Sequence, residues 1–153
     1  MADQPQLDIT AAHKHFSAEN FNKTWEYIEN SDRSQEDDMV MLHNAIASLW
    51  HWSQREDVTP ENLSVGYWQV SRVFCLIGQP DNARTYGRLS LNHAENQEPF
   101  FRGYAYETLA RAEMQSGNRV AMRFYLDKAH EMASQVSEEE DRQLLLKDLE
   151  TIK

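Results

Sequence analysis

The stretch that decides the fold is YWQVSRVFCLIGQPDNARTYGRLSLNHA, residues 67–94, because YETLARAEMQSGNRVAMRFYLDKAHEMA, residues 106–133, has the same spacing. Tyr67 aligns with Tyr106 and Gly78 with Gly117, at an offset of 39 residues. In both copies an aromatic residue is followed by an apolar residue, a small residue, a glycine and further small residues. This order is typical of a helix hairpin whose two helices approach closely at the small side chains.

Helix start and stop signals surround the two copies. Ser17, Ser34, Thr59 and Ser137 stand where N-caps are expected, and SEEE at 137–140 predicts a capping box between Ser137 and Glu140. Three prolines stand at predicted first helical positions, where the missing N–H costs nothing: Pro60, Pro80 and Pro99. Two glycines follow apolar-periodic segments and predict left-handed helix stops: Gly78 and Gly117.

The chain as a whole is predicted to be helical. It has 153 residues with only 5 Gly and 4 Pro, which favours few, long elements. We count seven or eight helices, predicted at 8–16, 18–30, 35–54, 60–77, 80–95, 99–116, 118–135 and 137–152. The length fits one domain, 1–153, and the short connections favour antiparallel neighbours.

The two copies resemble the tetratricopeptide repeat. The residues that carry the resemblance are the opening Tyr67 and Tyr106, the pairs Val70–Ser71 and Leu109–Ala110, and the two turn glycines. The copies depart from the family at Glu113, Gly87 and Leu126, where aromatic residues are usual, and in their longer period. The resemblance covers 64–133, with hairpins at 64–95 and 99–133. It implies a right-handed α-α superhelix of antiparallel hairpins, which the apolar stripe of Leu145, Leu149 and Ile152 would close as a capping helix at 137–152.

Charge and composition exclude several function classes. The formal net charge of −10 disfavours nucleic acid and anionic membrane surfaces as partners, because both attract clustered basic residues. The single cysteine, Cys75, stands in an apolar context and is expected to be a buried, inert thiol. Since neither a signal peptide nor a membrane-length apolar run is found, we expect a cytoplasmic protein.

The resemblance also implies a partner-binding groove along the first helix of each hairpin. We expect protein or peptide binding at Trp68, Arg72, Tyr104, Glu107 and Arg111. The same face is predicted to carry Cys75 or Leu76, Met114 and Val65. The alternative for Trp68 is a core position covered by the Arg72 stem. The Lys and Asn pattern with which some members hold a carboxylate terminus is missing.

Two further readings stay open. His43, His93 and His130 lie on three predicted helices and could converge as the metal ligands of a helical-bundle enzyme, although neither HxxxH nor HExxH occurs. The many aromatic residues, dense in EPFFRGYAY at 98–106, allow a structural homodimer. Acidic runs such as QEDDM favour first helical turns rather than catalysis, and without a catalytic motif we predict neither an enzyme nor a cofactor.

The stretch SLWHWSQ, residues 48–54, looks like an aromatic cage around a histidine. A helix turns by about 100° per residue, which places Trp50 and Trp52 at opposite edges of an apolar arc. His51 then falls on the polar side with Asn44 and Arg55. The two tryptophans therefore cannot enclose His51 within one helix, and His43 beside Trp50 becomes the histidine of interest.

Overall fold

The computed structural model describes residues 5–153, and all the regular secondary structure in that range is helical. The helices are α1 (Ile9–Glu29), α2 (Gln35–Ser53), α3 (Pro60–Leu76), α4 (Pro80–Ala94), α5 (Pro99–Ser116), α6 (Arg119–Ala133) and α7 (Glu139–Leu149). None of the helices in this range combines the length and apolar character that a membrane span requires. The predicted all-α fold of packed helix hairpins is confirmed.

Helix packing divides the chain into two compact units, Met1–Val58 and Thr59–Lys153. In the first unit α1 packs against α2. In the second unit α3 packs against α4 and α5 against α6, α5 also contacts α3 and α4, and α7 contacts α5 and α6. The organisation as a single domain stays a prediction.

Most of the helix ends form as their local signals predict. The Ser34 side chain accepts from the Asp37 amide and the Asp37 carboxylate accepts from the Ser34 amide, and Thr59 and Asn62 form the same capping box. Gly117 caps α5 with φ at 77°, and Gly78 follows α3 with φ at 78°. Both glycines occupy the left-handed region that other residues rarely adopt.

The predicted helix start at Ser17 is wrong, because α1 continues through it. Ser17 is fully buried, and its hydroxyl donates to the Lys14 carbonyl at 3.0 Å and accepts from Arg55 Nη1 at 3.1 Å. Its carbonyl accepts a hydrogen bond from Ser48 Oγ at 2.8 Å. The Ser17 side chain is therefore used inside the α1–α2 contact instead of capping a new helix.

The predicted capping box at Ser137 is also wrong. Helix α7 begins at Glu139 with Glu138 as its N-cap, and no side chain caps it. Val136, just before Ser137, is buried with 6% exposure, and the first helical turn forms beyond Ser137. The acidic residues Glu139, Glu140 and Asp141 still lie in that turn, where they complement the helix dipole.

The core of the second unit uses the predicted stripe of α7. Leu145, Leu149 and Ile152 are all buried and pack in one cluster with residues of α5 and α6. Between α3 and α4 the small residues allow close approach, since Ser71 Oγ donates to the Ala83 carbonyl at 2.7 Å. The result is two packed hairpins, with α7 covering part of α5 and α6.

Candidate partner-binding site

The five predicted site residues lie on α3 and α5, the two first helices of the hairpins. Trp68 and Arg72 are one turn apart on α3, so they share a helix face. Tyr104, Glu107 and Arg111 are spaced by three and four residues on α5. Because α3 and α5 pack side by side, the two faces meet.

Glu107 is the centre of this meeting point. Trp68 Nε1 donates to Glu107 Oε2 at 2.8 Å, and Arg111 Nε donates to Glu107 Oε1 at 2.7 Å. Glu107 is 1% exposed and Arg111 is 7% exposed. Both carboxylate oxygens are thus used inside the protein: the Trp68 indole joins α3 to α5, and the Arg111 guanidinium pairs with Glu107 within α5.

Helix α7 and the residues after it cover one side of these groups. The Tyr104 hydroxyl donates to Asp148 Oδ2 at 2.7 Å, and Arg111 Nη2 donates to the Asp148 carbonyl at 3.1 Å and to Thr151 Oγ1 at 2.8 Å. Burial raises the pKa of Tyr104, and its hydrogen bond to Asp148 raises that pKa further, so the phenol stays a donor. We call Trp68, Tyr104, Glu107, Arg111 and Asp148 the Glu107 network.

Four of the five predicted residues, all except Arg72, therefore hydrogen-bond to other side chains of the protein. Tyr104, Glu107 and Arg111 join α5 to α7 and to α3, and most of their polar atoms face other parts of the chain. Sequence reasoning missed Asp148 and Thr151, because only the tertiary position of α7 brings them to Arg111. Nothing in their local sequence distinguishes them from other solvated residues of a terminal helix.

An open pocket of about 240 Å³ lies next to the Glu107 network. It is lined by Arg72, Cys75, Leu76, Arg111, Met114 and Gln115, which we call the α3–α5 pocket. Arg72, Arg111 and Met114 are positions that the resemblance assigns to the groove, and so is either Cys75 or Leu76. Gln115 Nε2 donates to the Cys75 carbonyl at 2.5 Å and so bridges α5 and α3 beside the pocket.

The chemistry of the pocket is apolar with one available cation. Burial raises the pKa of Cys75 to about 12, so its thiol is neutral near pH 7. The half-buried Arg72 makes no hydrogen bond or ion pair with any residue in 5–153. Burial lowers the pKa of Arg72, and the nearby charge of Arg111 lowers it further, but the group stays a cation at neutral pH.

A second polar cluster lies in the first unit and includes His51 of the stretch SLWHWSQ. His51 does not face solvent on a polar side as predicted: His13 Nδ1 and His51 Nδ1 lie 2.9 Å apart, within hydrogen-bond distance. Phe16 and Trp50 pack around the pair, with ring centroids 5.4 Å and 4.9 Å from that of His51. Helix α1 supplies His13 and Phe16, which the periodicity of α2 alone does not reveal. The Trp52 ring packs against Arg55 instead: the guanidinium carbon of Arg55 lies over that ring, 4.0 Å from the ring centroid.

The histidine pair predicts a pH dependence for the first unit. Burial lowers the pKa of His51, and the charge of His13 lowers it further. As the pH falls, the unfolded chain therefore binds a proton at His51 at a higher pH than the folded chain does. The free energy of unfolding keeps its full value above about pH 6.5 and falls as the pH drops below it. Lys14, Arg55, Glu56 and Asp57 are the other charged groups beside His13 on α1 and the end of α2. Burial and the charge of His13 both lower the pKa of His51, so His51 sets the direction of the pH dependence.

Thermal unfolding between pH 5 and pH 7.5 measures this effect. We expect His51→Gln to flatten the decline in melting temperature toward low pH. The exposed His43→Gln on the same helix is the control and should leave the decline unchanged. Equal pH profiles for wild type and His51→Gln would contradict the assignment.

The three histidines proposed as metal ligands do not form a cluster. His93 Nδ1 lies 2.8 Å from the Leu89 carbonyl and its ring stacks on Tyr67 with centroids 5.0 Å apart, whereas His43 and His130 are exposed. Within residues 5–153 no group of three or more His, Cys, Asp or Glu side chains is arranged to hold a metal ion.

Helix α2 carries four exposed large apolar side chains: Met39, Val40, Ile46 and Trp50. Met39, Ile46 and Trp50 follow one face of that helix and are 42%, 39% and 55% exposed. Phe16 of α1 is also exposed, at 41%. The homodimer that the sequence allows stays a prediction, and this face is an exposed apolar surface of the kind that such a contact uses.

Comparisons of the chain with protein-family models, with curated proteins and with solved structures find no match. The resemblance to the tetratricopeptide repeat therefore stays a prediction that rests on the residues quoted above.

Proposed function

We propose that this chain is a protein-interaction module that binds a peptide or protein partner in the α3–α5 pocket. The observation that carries the proposal is the pocket itself, because its lining includes Arg72, Leu76, Arg111 and Met114, which the repeat pattern assigns to a groove. Binding sites for peptides are concave and mostly apolar, with a few polar groups that orient the ligand. This pocket has that composition.

The packing around the pocket supports the same proposal. The Glu107 network joins α3 to α5 and α5 to α7 by hydrogen bonds, which favours a pocket whose walls are in place before a partner binds. A preformed site loses less entropy on binding than one that must be ordered. Rigid walls and an open apolar floor suit a segment that enters in an extended or helical form.

Selection from a library of short random peptides on the purified full chain tests the proposal. We expect selected peptides that bind the wild type and lose about tenfold or more in affinity for Leu76→Glu, because a carboxylate would then occupy the apolar floor. Val120→Glu on α6 is the control, since Val120 is 84% exposed and does not line the pocket. Fluorescence anisotropy gives the affinities, and circular dichroism shows whether both variants keep their helices.

Two outcomes would contradict the proposal. One is a selection that yields no peptide binding to the folded chain. The other is a set of binders that Leu76→Glu and Val120→Glu affect equally, which would place their contact outside the α3–α5 pocket.

A further inference from the structure

Arg72 is a cation for which the protein supplies no counter-charge by direct contact. Its guanidinium offers five N–H donors, and none of them bonds to a residue in 5–153. The buried arginine beside it, Arg111, is by contrast satisfied by Glu107, Asp148 and Thr151. The difference between the two arginines is that the guanidinium of Arg72 keeps its hydrogen-bond donors available to a ligand.

The nearest carboxylates are already committed. Glu107 accepts from Trp68 and Arg111, and Asp148 Oδ2 accepts from Tyr104. Both carboxylates attract Arg72 at a distance, and Arg111 repels it. The bonding capacity of Arg72 therefore points to a ligand that brings its own anion, and a carboxylate fits a guanidinium by two parallel hydrogen bonds.

The surroundings of Arg72 define what stands next to that anion. Leu76 and Met114 give an apolar wall, and the neutral thiol of Cys75 adds to it. Methionine adapts to side chains of different shape, which suits a pocket that accepts more than one apolar residue. The pocket thus has one position for a negative group and an adjoining one for an apolar group.

We propose that the α3–α5 pocket recognises an acidic peptide segment, with a Glu or Asp side chain of the partner on Arg72 and a neighbouring bulky apolar side chain against Leu76 and Met114. This inference rests on the proposed function and adds the chemical class of its partner. Because the net charge of the chain is −10, an acidic segment gains from the chain only where a cation with unused donors can bond to it, and Arg72 is such a cation.

Twin peptide arrays test the proposal. The two arrays carry the same short sequences with bulky apolar residues, and differ only in Glu or Gln at one fixed position. We expect the Glu array to bind the full wild-type chain more tightly, by about tenfold for a charge-assisted pair. Arg72→Gln should remove the preference for Glu, and Arg72→Lys should restore part of it. Arg123→Gln, at an exposed arginine of α6, is the matched control and should keep the preference.

The outcomes separate this inference from the function on which it rests. Suppose that Glu and Gln peptides bind the wild type equally and that Leu76→Glu still abolishes their binding. The acidic preference would then be overturned, whereas the peptide-binding function would stand. Binding on neither array would overturn both. Displacement by inorganic phosphate or acetate at low concentration, with no dependence on the apolar residues, would show a small-anion site and would also overturn the proposal.

Discussion

Replacing Glu107 with alanine is expected to destabilise the Thr59–Lys153 unit by about 3–5 kcal/mol, the cost of leaving one partner of a buried ion pair alone. The substitution leaves Arg111 at 7% exposure without its carboxylate, and it removes the acceptor of Trp68 Nε1. Urea unfolding followed by circular dichroism measures the loss. Hydrogen exchange should show it as faster exchange of the α3, α5 and α7 amides.

The control for this prediction is the surface pair of Lys128 and Glu131. Its nitrogen and oxygen lie 3.4 Å apart and both side chains are exposed, so Glu131→Ala should cost less than about 1 kcal/mol. The double variant Glu107→Leu with Arg111→Met removes both charges together, and its cost should be clearly smaller than the sum of the single costs. Additive costs, or a Glu107→Ala loss as small as that of the control, would contradict a buried, coupled network.

Replacing Leu145 with alanine is expected to cost about 2–5 kcal/mol, because it opens a cavity in the core under α7. Leu145 is fully buried, and its Cδ2 would lie 2.5 Å from a Cβ added at Gly103 of α5. Adding Gly103→Ala to Leu145→Ala should therefore recover part of the loss by filling the space. Thermal and urea unfolding measure both effects.

The neighbouring Leu144 provides the control, since it is 52% exposed on the same helix. Leu144→Ala should change the free energy of unfolding by less than about 0.5 kcal/mol. A loss of stability in Leu144→Ala as large as that in Leu145→Ala would show that α7 does not pack against α5 by the face that carries Leu145. A Gly103→Ala change that deepens the loss in the Leu145→Ala background would contradict the close approach.

Signals that act within one helical turn could be predicted from the sequence. Thr59, Pro60, Gly78 and Gly117 mark helix ends because capping bonds and allowed φ values depend only on neighbouring residues. The buried stripe of α7 was also predicted from the sequence, because apolar residues that recur with the helical period lie on one face of the helix. The fold class followed from these local rules.

Features that depend on a distant helix could not be predicted in the same way. Ser17 has the chemistry of an N-cap, but its contacts with Ser48 and Arg55 decide that α1 continues. His51 was placed on a polar face because the position of His13 on α1 is invisible in the period of α2.

The candidate site shows the same division. The helix faces of Trp68, Arg72 and Met114 followed from spacing along α3 and α5, and these faces do meet. The burial of Glu107 and Arg111 could not be predicted, because it depends on α7 and the residues that follow it. Asp148 and Thr151, which accept hydrogen bonds from Arg111, lie 37 and 40 residues further along the chain. The part of the groove left open, the α3–α5 pocket, could be located only once α7 was in place.

The most direct test of the account is to map where a bound peptide touches the chain. An acidic peptide selected on the wild type, carrying a benzophenone at its apolar position, is irradiated with the full chain, and the adduct is located by mass spectrometry. The account predicts adducts at Met114 and Leu76, and a reduced yield with Arg72→Gln. Adducts confined to α1 and α2, or to the exposed residues of α4 and α6, would contradict it.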